Sequence, residues 1–304
     1  MFVKCISYLD IKSTHNTLSG TLGVSIWVMT GLASNVHILG GASTLAIEVS
    51  DFLVLNELSV LSYSRSSDPQ FVNVTDYSLV SAKISPGDTA IIFFAISSPR
   101  ACQIDPNASF EVNVTLTNHV IGEILDRGGN VIFISSDAVY GNTTHAVDES
   151  SPLSPIGNYG NQKSLVEATW GGIKGFIAIR TSLNVSNKNR IIQKFFSGEP
   201  TSLLKSLYRN MLLTSDLSAL IYQVVRMPSH RWPRAVNAGG SHLLDVADYF
   251  SSIGNLMGYS ALQIDEWDKI DELSKPGKIE MNSTLAQSLL GRPFVSIHDF
   301  VPKQ

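Results

Sequence analysis

Residues 131–167 read VIFISSDAVYGNTTHAVDESSPLSPIGNYGNQKSLVE. Val131, Ile132, Phe133 and Ile134 are apolar at consecutive positions, as a parallel strand covered on both faces requires. The strand delivers Ser135, Ser136 and Asp137 at its carboxyl end. A loop carrying Pro152 and Pro155 follows, and then Tyr159-Gly-Asn-Gln-Lys163 opens a predicted helix. A spacing of four puts Tyr159 and Lys163 on one helical face. An ammonium beside a phenol favours the phenolate, so Lys163 is expected to lower the Tyr159 pKa and make proton transfer feasible near neutral pH. A hydroxyl at the end of the neighbouring strand can hold a carbonyl or alcohol against that phenol.

Taken together, Ser-Ser-Asp-Ala-Val-Tyr-Gly at 135–141, Tyr159-x-x-x-Lys163 and Glu167 resemble the extended short-chain dehydrogenase/reductases. Within them the likeness is to the sugar-nucleotide branch of epimerases, dehydratases and dTDP-4-dehydrorhamnose reductase. The motif carries weight only in its strand–loop–helix setting, which the sequence supplies. The resemblance implies an α/β, Rossmann-type doubly wound parallel sheet with a smaller C-terminal substrate-binding α/β subdomain. The regular alternation of strand and helix patterns argues for the same sheet. Expected boundaries are an N-terminal extension at 1–35, an NAD(P)-binding domain at 36–182, and a substrate-binding region at 183–304. The chain is expected to return to the sheet near 234–240.

Composition fits this class. The chain of 304 residues is 44% hydrophobic and 16% charged, values of a globular protein. A net charge of −4 gives no basic footprint for nucleic acid. The two cysteines, Cys5 and Cys102, make no disulfide framework and suit a reducing, cytoplasmic compartment. The histidines lack metal-ligand spacing, so no metal is expected. Residues 13–47 hold no Lys, Arg, Asp or Glu. The first 35 residues read as an appendage, an upstream extension with a working start near Met29, or an anchor. The apolar run is short and diluted for a span of ~20 residues, so no membrane partner is expected.

Val36-His37-Ile38-Leu39 reads as the first buried strand, followed by Gly40-Gly41-Ala42-Ser43-Thr44-Leu45-Ala46 and an apolar helix to about Leu58. This is the place of a Gly-x-x-Gly-x-x-Gly dinucleotide loop, which needs a tight turn, close backbone approach and a helix N-terminus aimed at pyrophosphate. Ser43 and Ala46 replace the second and third glycines, and Ser43 could add a hydroxyl contact. Gly40, Ser43, Thr44 and Leu45 are the candidate cofactor residues here. Leu58–Tyr63 reads as the second strand, ending in Ser64-Arg65-Ser66. Relatives that prefer NAD carry an acidic residue there; Arg65 offers a charged planar fork suited to a 2′-phosphate. The expected cofactor is therefore NADP(H), with NAD(H) the alternative. The resemblance also implies Asp76 near the adenine and Ala95, at the end of a strand at 88–95, beside the cofactor. Cys102 falls in the loop after that strand and has no base at a telling spacing. Pro106–Arg127 reads as one long helix carrying Asn113 in a structural role.

By the resemblance, Ser136, Tyr159 and Lys163 are the catalytic set. Ser136 is chosen over Ser135 because it lies four before Tyr140; Ser135 then faces the cofactor or the sheet. Tyr159 and Lys163 also count as cofactor-binding, with Lys163 on the nicotinamide ribose. Ser136, Asp137 and Arg209 are the substrate candidates, with Arg209 meeting a nucleotide phosphate. Ser215 or Asp216 is expected to cap a helix. Ala138 stands where 4,6-dehydratases carry a catalytic Glu, so dehydration is disfavoured. The implied reaction is NAD(P)H-dependent reduction of a nucleotide-linked keto sugar. The alternatives are an NAD-dependent nucleotide-sugar epimerase and a non-catalytic nucleotide-binding scaffold. The expected partner is a nucleotide-sugar substrate, and the fold type allows a homodimer.

Overall fold

The computed structural model describes residues 34–65, 68, 70–73 and 76–303. The readings of the N-terminal segment up to residue 33 lie outside the described residues. Among the described residues, seven strands form one sheet: β1 (Val36–Leu39), β2 (Val60–Ser64), β3 (Val72–Asn73), β4 (Thr89–Ile92), β5 (Asn130–Ser136), β6 (Phe176–Thr181) and β7 (Ala235–Ala238). Their order is β7-β6-β5-β4-β1-β2-β3, and every pairing is parallel. The order reverses between β1 and β4, and the crevice above their carboxyl ends is where such sheets take ligands.

Period-2 alternation, with both faces of the sheet covered, explains why the middle of β5, Val131 to Ile134, is apolar at every position. Ile132 and Ile134 join Ile91 and Ile177 in one core, closed by α1 (Thr44–Leu55) and by α5 (Thr214–Arg226), named here ahead of the helices between them. Those are α2 (Pro99–Ile104), α3 (Thr117–Asp126) and α4 (Gly157–Trp170). Val131 and Phe133 face the other way, into a core closed by α3 and by Val166 of α4. Each large apolar side chain fully buried this way contributes ~1.5–3 kcal/mol. A third core gathers Val185, Ile192, Phe195 and Met211 with Val246, Phe250 and Ile253 of α6 (Val246–Leu256), forming the lobe after β6.

Several element boundaries differ from the sequence expectation. β2 starts at Val60 because the turn ending α1 takes the Leu58 amide, which donates to Leu53 O at 3.1 Å. β4 pairs over four residues only, since the Phe93 and Phe94 amides both turn to Leu39 O. The helix from Pro106 is continuous, but its middle turn, Glu111–Leu116, is π-helical. Asn113 in that turn points inward: its amide donates to Gln162 Oε1 (2.8 Å) and Ile96 O (3.1 Å), and its Oδ1 accepts from Ile96 N (2.8 Å). It thereby ties the loop after β4 to α4. Cys102 lies on α2, buried, where desolvation pushes its thiol up and keeps it unreactive. Neither Ser215 nor Asp216 caps α5: the helix begins at Thr214, and Asp216 is buried in its first turn, accepting from Val295 N at 2.7 Å and pairing with Arg292 at 2.7 Å.

At the opposite end of the sheet from the crevice, His37 is buried between Tyr63 and Asp88, 3.1 Å from the Tyr63 hydroxyl through Nδ1 and 3.1 Å from Asp88 Oδ2 through Nε2. Burial outweighs the pull of Asp88 and holds the imidazole below its ordinary 6.5. Protons then bind the unfolded chain more tightly. The associated stability is complete above about pH 6.5 and is lost as the pH falls from there towards the lowered folded value. Thermal melts between about pH 7 and 5.5 are expected to show a steeper loss of Tm in the wild type than in His37→Gln; equal slopes would remove His37 from the account.

Candidate active site

A cleft of about 490 Å³ opens over the carboxyl ends of the central strands. Its floor is built by β5. The strand ends in Ser135 and Ser136 and runs into a 3₁₀ turn, Asp137–Tyr140. Helix α4 packs hard against that turn at Gly160, where a Cβ would lie 2.6 Å from Ala138 O. The missing side chain lets the preceding residue, Tyr159, reach the strand end, where it lines the cleft with Ser136. Ser136 Oγ accepts from Ala138 N at 3.1 Å, fixing the hydroxyl in place. Lys163, one turn on, is 4% exposed; its ammonium donates to Ile134 O at 2.8 Å and lies 4.4 Å from the centre of the Phe133 ring.

The electrostatics differ from the sequence expectation. The Tyr159 phenol is pushed well above its ordinary value, first by desolvation and then by the negative charge of Asp137, with the nearby Ser136 hydroxyl opposing. Lys163 does not depress it: the ammonium is turned to Ile134 O and sits 5.9 Å from the centre of the Tyr159 ring. Lys163 is itself lowered to about 8 by burial, against the pull of Glu167. Position i+4 fixes the shared face but not which group the lysine's long stem serves.

Asp137 is 6% exposed and held from three sides: Ser136 Oγ at 3.1 Å, Ser182 Oγ at 2.8 Å and Arg209 Nε at 3.5 Å. Arg209 lines the cleft as expected, but its guanidinium is committed elsewhere. It donates to Tyr208 O (2.7 Å), Gly277 O (3.2 Å) and Pro276 O (2.7 Å). Buried and so engaged, it holds the strap at 276–282 and braces Asp137, which leaves little of the fork for a ligand phosphate. The strap is stitched further by Met281 N, which donates to Asn210 Oδ1 at 2.8 Å, and by Asn237 Nδ2, which donates to Asn282 O at 3.1 Å. Ser135 also lines the cleft, but its hydroxyl is engaged, donating to Glu167 Oε1 at 2.5 Å.

On the other side of the cleft, β1 runs into Gly40, whose φ is +90° and whose Cβ, if present, would lie 2.5 Å from Phe94 N. Only glycine fits there. Ser43 is the N-cap of α1, its hydroxyl oxygen accepting from Ala46 N at 3.2 Å, which leaves its proton and one lone pair for a ligand. Of the expected cofactor residues, Ser43, Leu45, Ala95, Tyr159 and Lys163 line the cleft together with Ser136, Asp137 and Arg209. Gly40, Thr44, Arg65 and Asp76 do not line it. Arg65 is exposed after the end of β2, close enough to act electrostatically on the buried Tyr77. The lining also includes Thr181, Ser182, Asn184 and Lys275, which sequence reasoning did not assign. The polar run after β6 was their one visible signal. Among the described residues no cluster of His, Cys, Asp and Glu could hold a metal ion, and no helix is long and apolar enough to cross a membrane.

Residues 38–174 match the model of the NAD dependent epimerase/dehydratase family. Over 136 residues the chain is 28% identical to N-acetyl-alpha-D-glucosaminyl-diphospho-ditrans,octacis-undecaprenol 4-epimerase of Escherichia coli O157:H7; the match spans 42% of this chain and 40% of that relative. Among solved structures, UDP-glucose 4-epimerase of Thermus thermophilus in complex with NAD superposes with a TM-score of 0.75 at 15% identity, covering 87% of this chain and 96% of the other. A hypothetical dTDP-4-dehydrorhamnose reductase from Sulfolobus tokodaii gives a TM-score of 0.69 at 18% identity, covering 86% and 96%. At such identities the structural likeness carries the fold alone. Residues 38–174 are thus similar in sequence to the NAD dependent epimerase/dehydratase family, and the fold is shared with these solved structures across most of the chain.

Proposed function

We propose that the protein reduces a nucleotide-linked keto sugar, with NADP(H) as the preferred cofactor. The observation that carries the reading is the meeting of Ser136, Tyr159 and Lys163 in the lining of one cleft, beside an Ala138 that has no proton to exchange. The residues present fit a nicotinamide dinucleotide: Ser43 and Leu45 bring the N-terminus of α1 to the cleft, and the buried Lys163 supplies a cation. When bound, the cofactor supplies the hydride. Ser136 holds the sugar oxygen. Tyr159, kept protonated by its surroundings, gives its proton to that oxygen as charge develops. Lys163 holds the ribose by its ammonium. Residues 183–304 carry the sugar-nucleotide side of the cleft, and the nucleotide sugar itself is part of this proposal, as is assembly into a homodimer.

Epimerisation with tightly held NAD is the second reading, favoured by the epimerase relative at 28% identity. Arg65, exposed beside the Gly40 loop, argues for NADPH. Fluorescence titration is expected to give tighter binding of NADPH than NADH, with the preference falling on the order of tenfold or more in Arg65→Ala, the scale of one lost charge-assisted contact. NAD that copurifies and does not exchange would move the reading to the epimerase. Binding of neither cofactor would leave a scaffold on the same fold. A panel of 4-keto nucleotide sugars with NADPH then tests turnover.

A further inference from the structure

Glu167 is 3% exposed and does not line the cleft. It takes no part in the proton transfer described above, yet its carboxylate is fully engaged. Ser135 Oγ donates to Oε1 at 2.5 Å, and Arg180 donates to Oε2 through Nε at 2.9 Å and Nη2 at 2.7 Å. Ser135 belongs to β5, Arg180 to β6 and Glu167 to α4. One side chain therefore ties the helix to two adjacent strands. The attachment is close to the chemistry at both ends: Ser135 immediately precedes Ser136, and Lys163 and Tyr159 lie one and two turns back on the same helix.

We propose that Glu167 is a positioning residue: its bonds to Ser135 and Arg180 set the depth and rotation of α4 against β5, and so hold Tyr159 and Lys163 over Ser136. Its effect on turnover rests on the reductase reading; its effect on Lys163 does not. A helix anchored at one point can still slide or turn, whereas bonds to two strands remove both freedoms. A displacement of about 1 Å at a reacting group can cost on the order of 100-fold in rate. The anchor also has an electrostatic side. The ionisable groups around Lys163 are Tyr159 and Glu167 of α4, Cys102 of α2 and, beyond Glu167, Arg180 of β6. Glu167 favours the ammonium against burial, so removing its charge lowers the Lys163 pKa.

The full chain, labelled with ¹³C-lysine and assigned with Lys163→Met, allows the Lys163 Cε shift to be followed against pH. The midpoint is expected at about 8 in the wild type, lower in Glu167→Gln and unmoved in Ser135→Ala. With a keto nucleotide sugar and NADPH, both variants are expected to lose kcat on the order of 10- to 100-fold with KM changed far less. An unchanged Lys163 midpoint in folded Glu167→Gln, or full kcat in Ser135→Ala, overturns the proposal. Should Glu167→Gln fail to fold, Ser135→Ala decides, because it removes one bond without stranding a buried charge. A wild type that turns over no substrate sinks the reductase reading, while the lysine titration still decides the role of Glu167.

Discussion

Tyr159→Phe is expected to lower turnover by 10²–10⁴-fold, the usual worth of a positioned general acid, while binding of NADPH stays within a few-fold of the wild type. The phenol is the acid that the floor of the cleft offers next to Ser136, and the variant removes its proton without changing the ring that packs there. Desolvation and Asp137 hold the phenol above its ordinary value, so it is protonated throughout the neutral range. That suits a group that gives a proton to a forming alkoxide, which is the direction of reduction. The check is single-turnover kinetics beside a cofactor titration. Equal rates for the two proteins would remove Tyr159 from the chemistry; loss of NADPH binding in step with rate would make it a binding residue instead.

Arg180→Met is expected to destabilise the fold by ~3–5 kcal/mol, the cost of leaving a buried charge without its partner. Arg180 is 4% exposed and makes three kinds of contact: to Glu167, to the Tyr140 hydroxyl at 2.6 Å, and to Glu149 O at 3.4 Å. Without it Glu167 keeps only Ser135, and Tyr140, whose burial already pushes it to about 12, keeps its bonds to Asn237 and Asp148 O. A fall in Tm on the order of 10 °C follows from that energy. Removing the stranded carboxylate as well, in Glu167→Leu with Arg180→Met, is expected to recover part of the loss. A single variant that melts within a few degrees of the wild type would mean that water or a neighbour replaces the guanidinium. The measurement is calorimetry on both variants.

The sheet and the heart of the cleft were legible because their signals are local. Four apolar residues in a row at 131–134 state a strand covered on both faces, and a tyrosine four before a lysine states a shared helical face. Gly40 was legible because the turn it makes admits no Cβ. What was not legible depends on partners far along the chain or on where a long side chain ends. The clamp on Asp137 comes from Ser182 and Arg209, 45 and 72 positions away by the sequence numbering. The commitment of Arg209 to the strap cannot be seen in a solitary arginine between Tyr208 and Asn210. The π turn around Asn113 inserts one residue into an otherwise regular helix, and an approximate apolar face absorbs it without trace. The turned-away ammonium of Lys163 shows the same limit, since spacing gives the face and burial chooses the partner.

The strap at 276–282 bears on the order in which the protein comes off the ribosome. Strands β1 to β6, with Gly40, Tyr159 and Lys163, have all been made by residue 181, so this half of the chain can begin to order before the rest has emerged. Arg209 cannot find the Pro276 and Gly277 carbonyls, nor Asn237 the carbonyl of Asn282, until the last tenth of the chain is out. The wall that braces Asp137 is therefore finished last. A nascent chain stalled before that point would present the floor of the cleft, with Tyr159 and Lys163, while its far wall is still open.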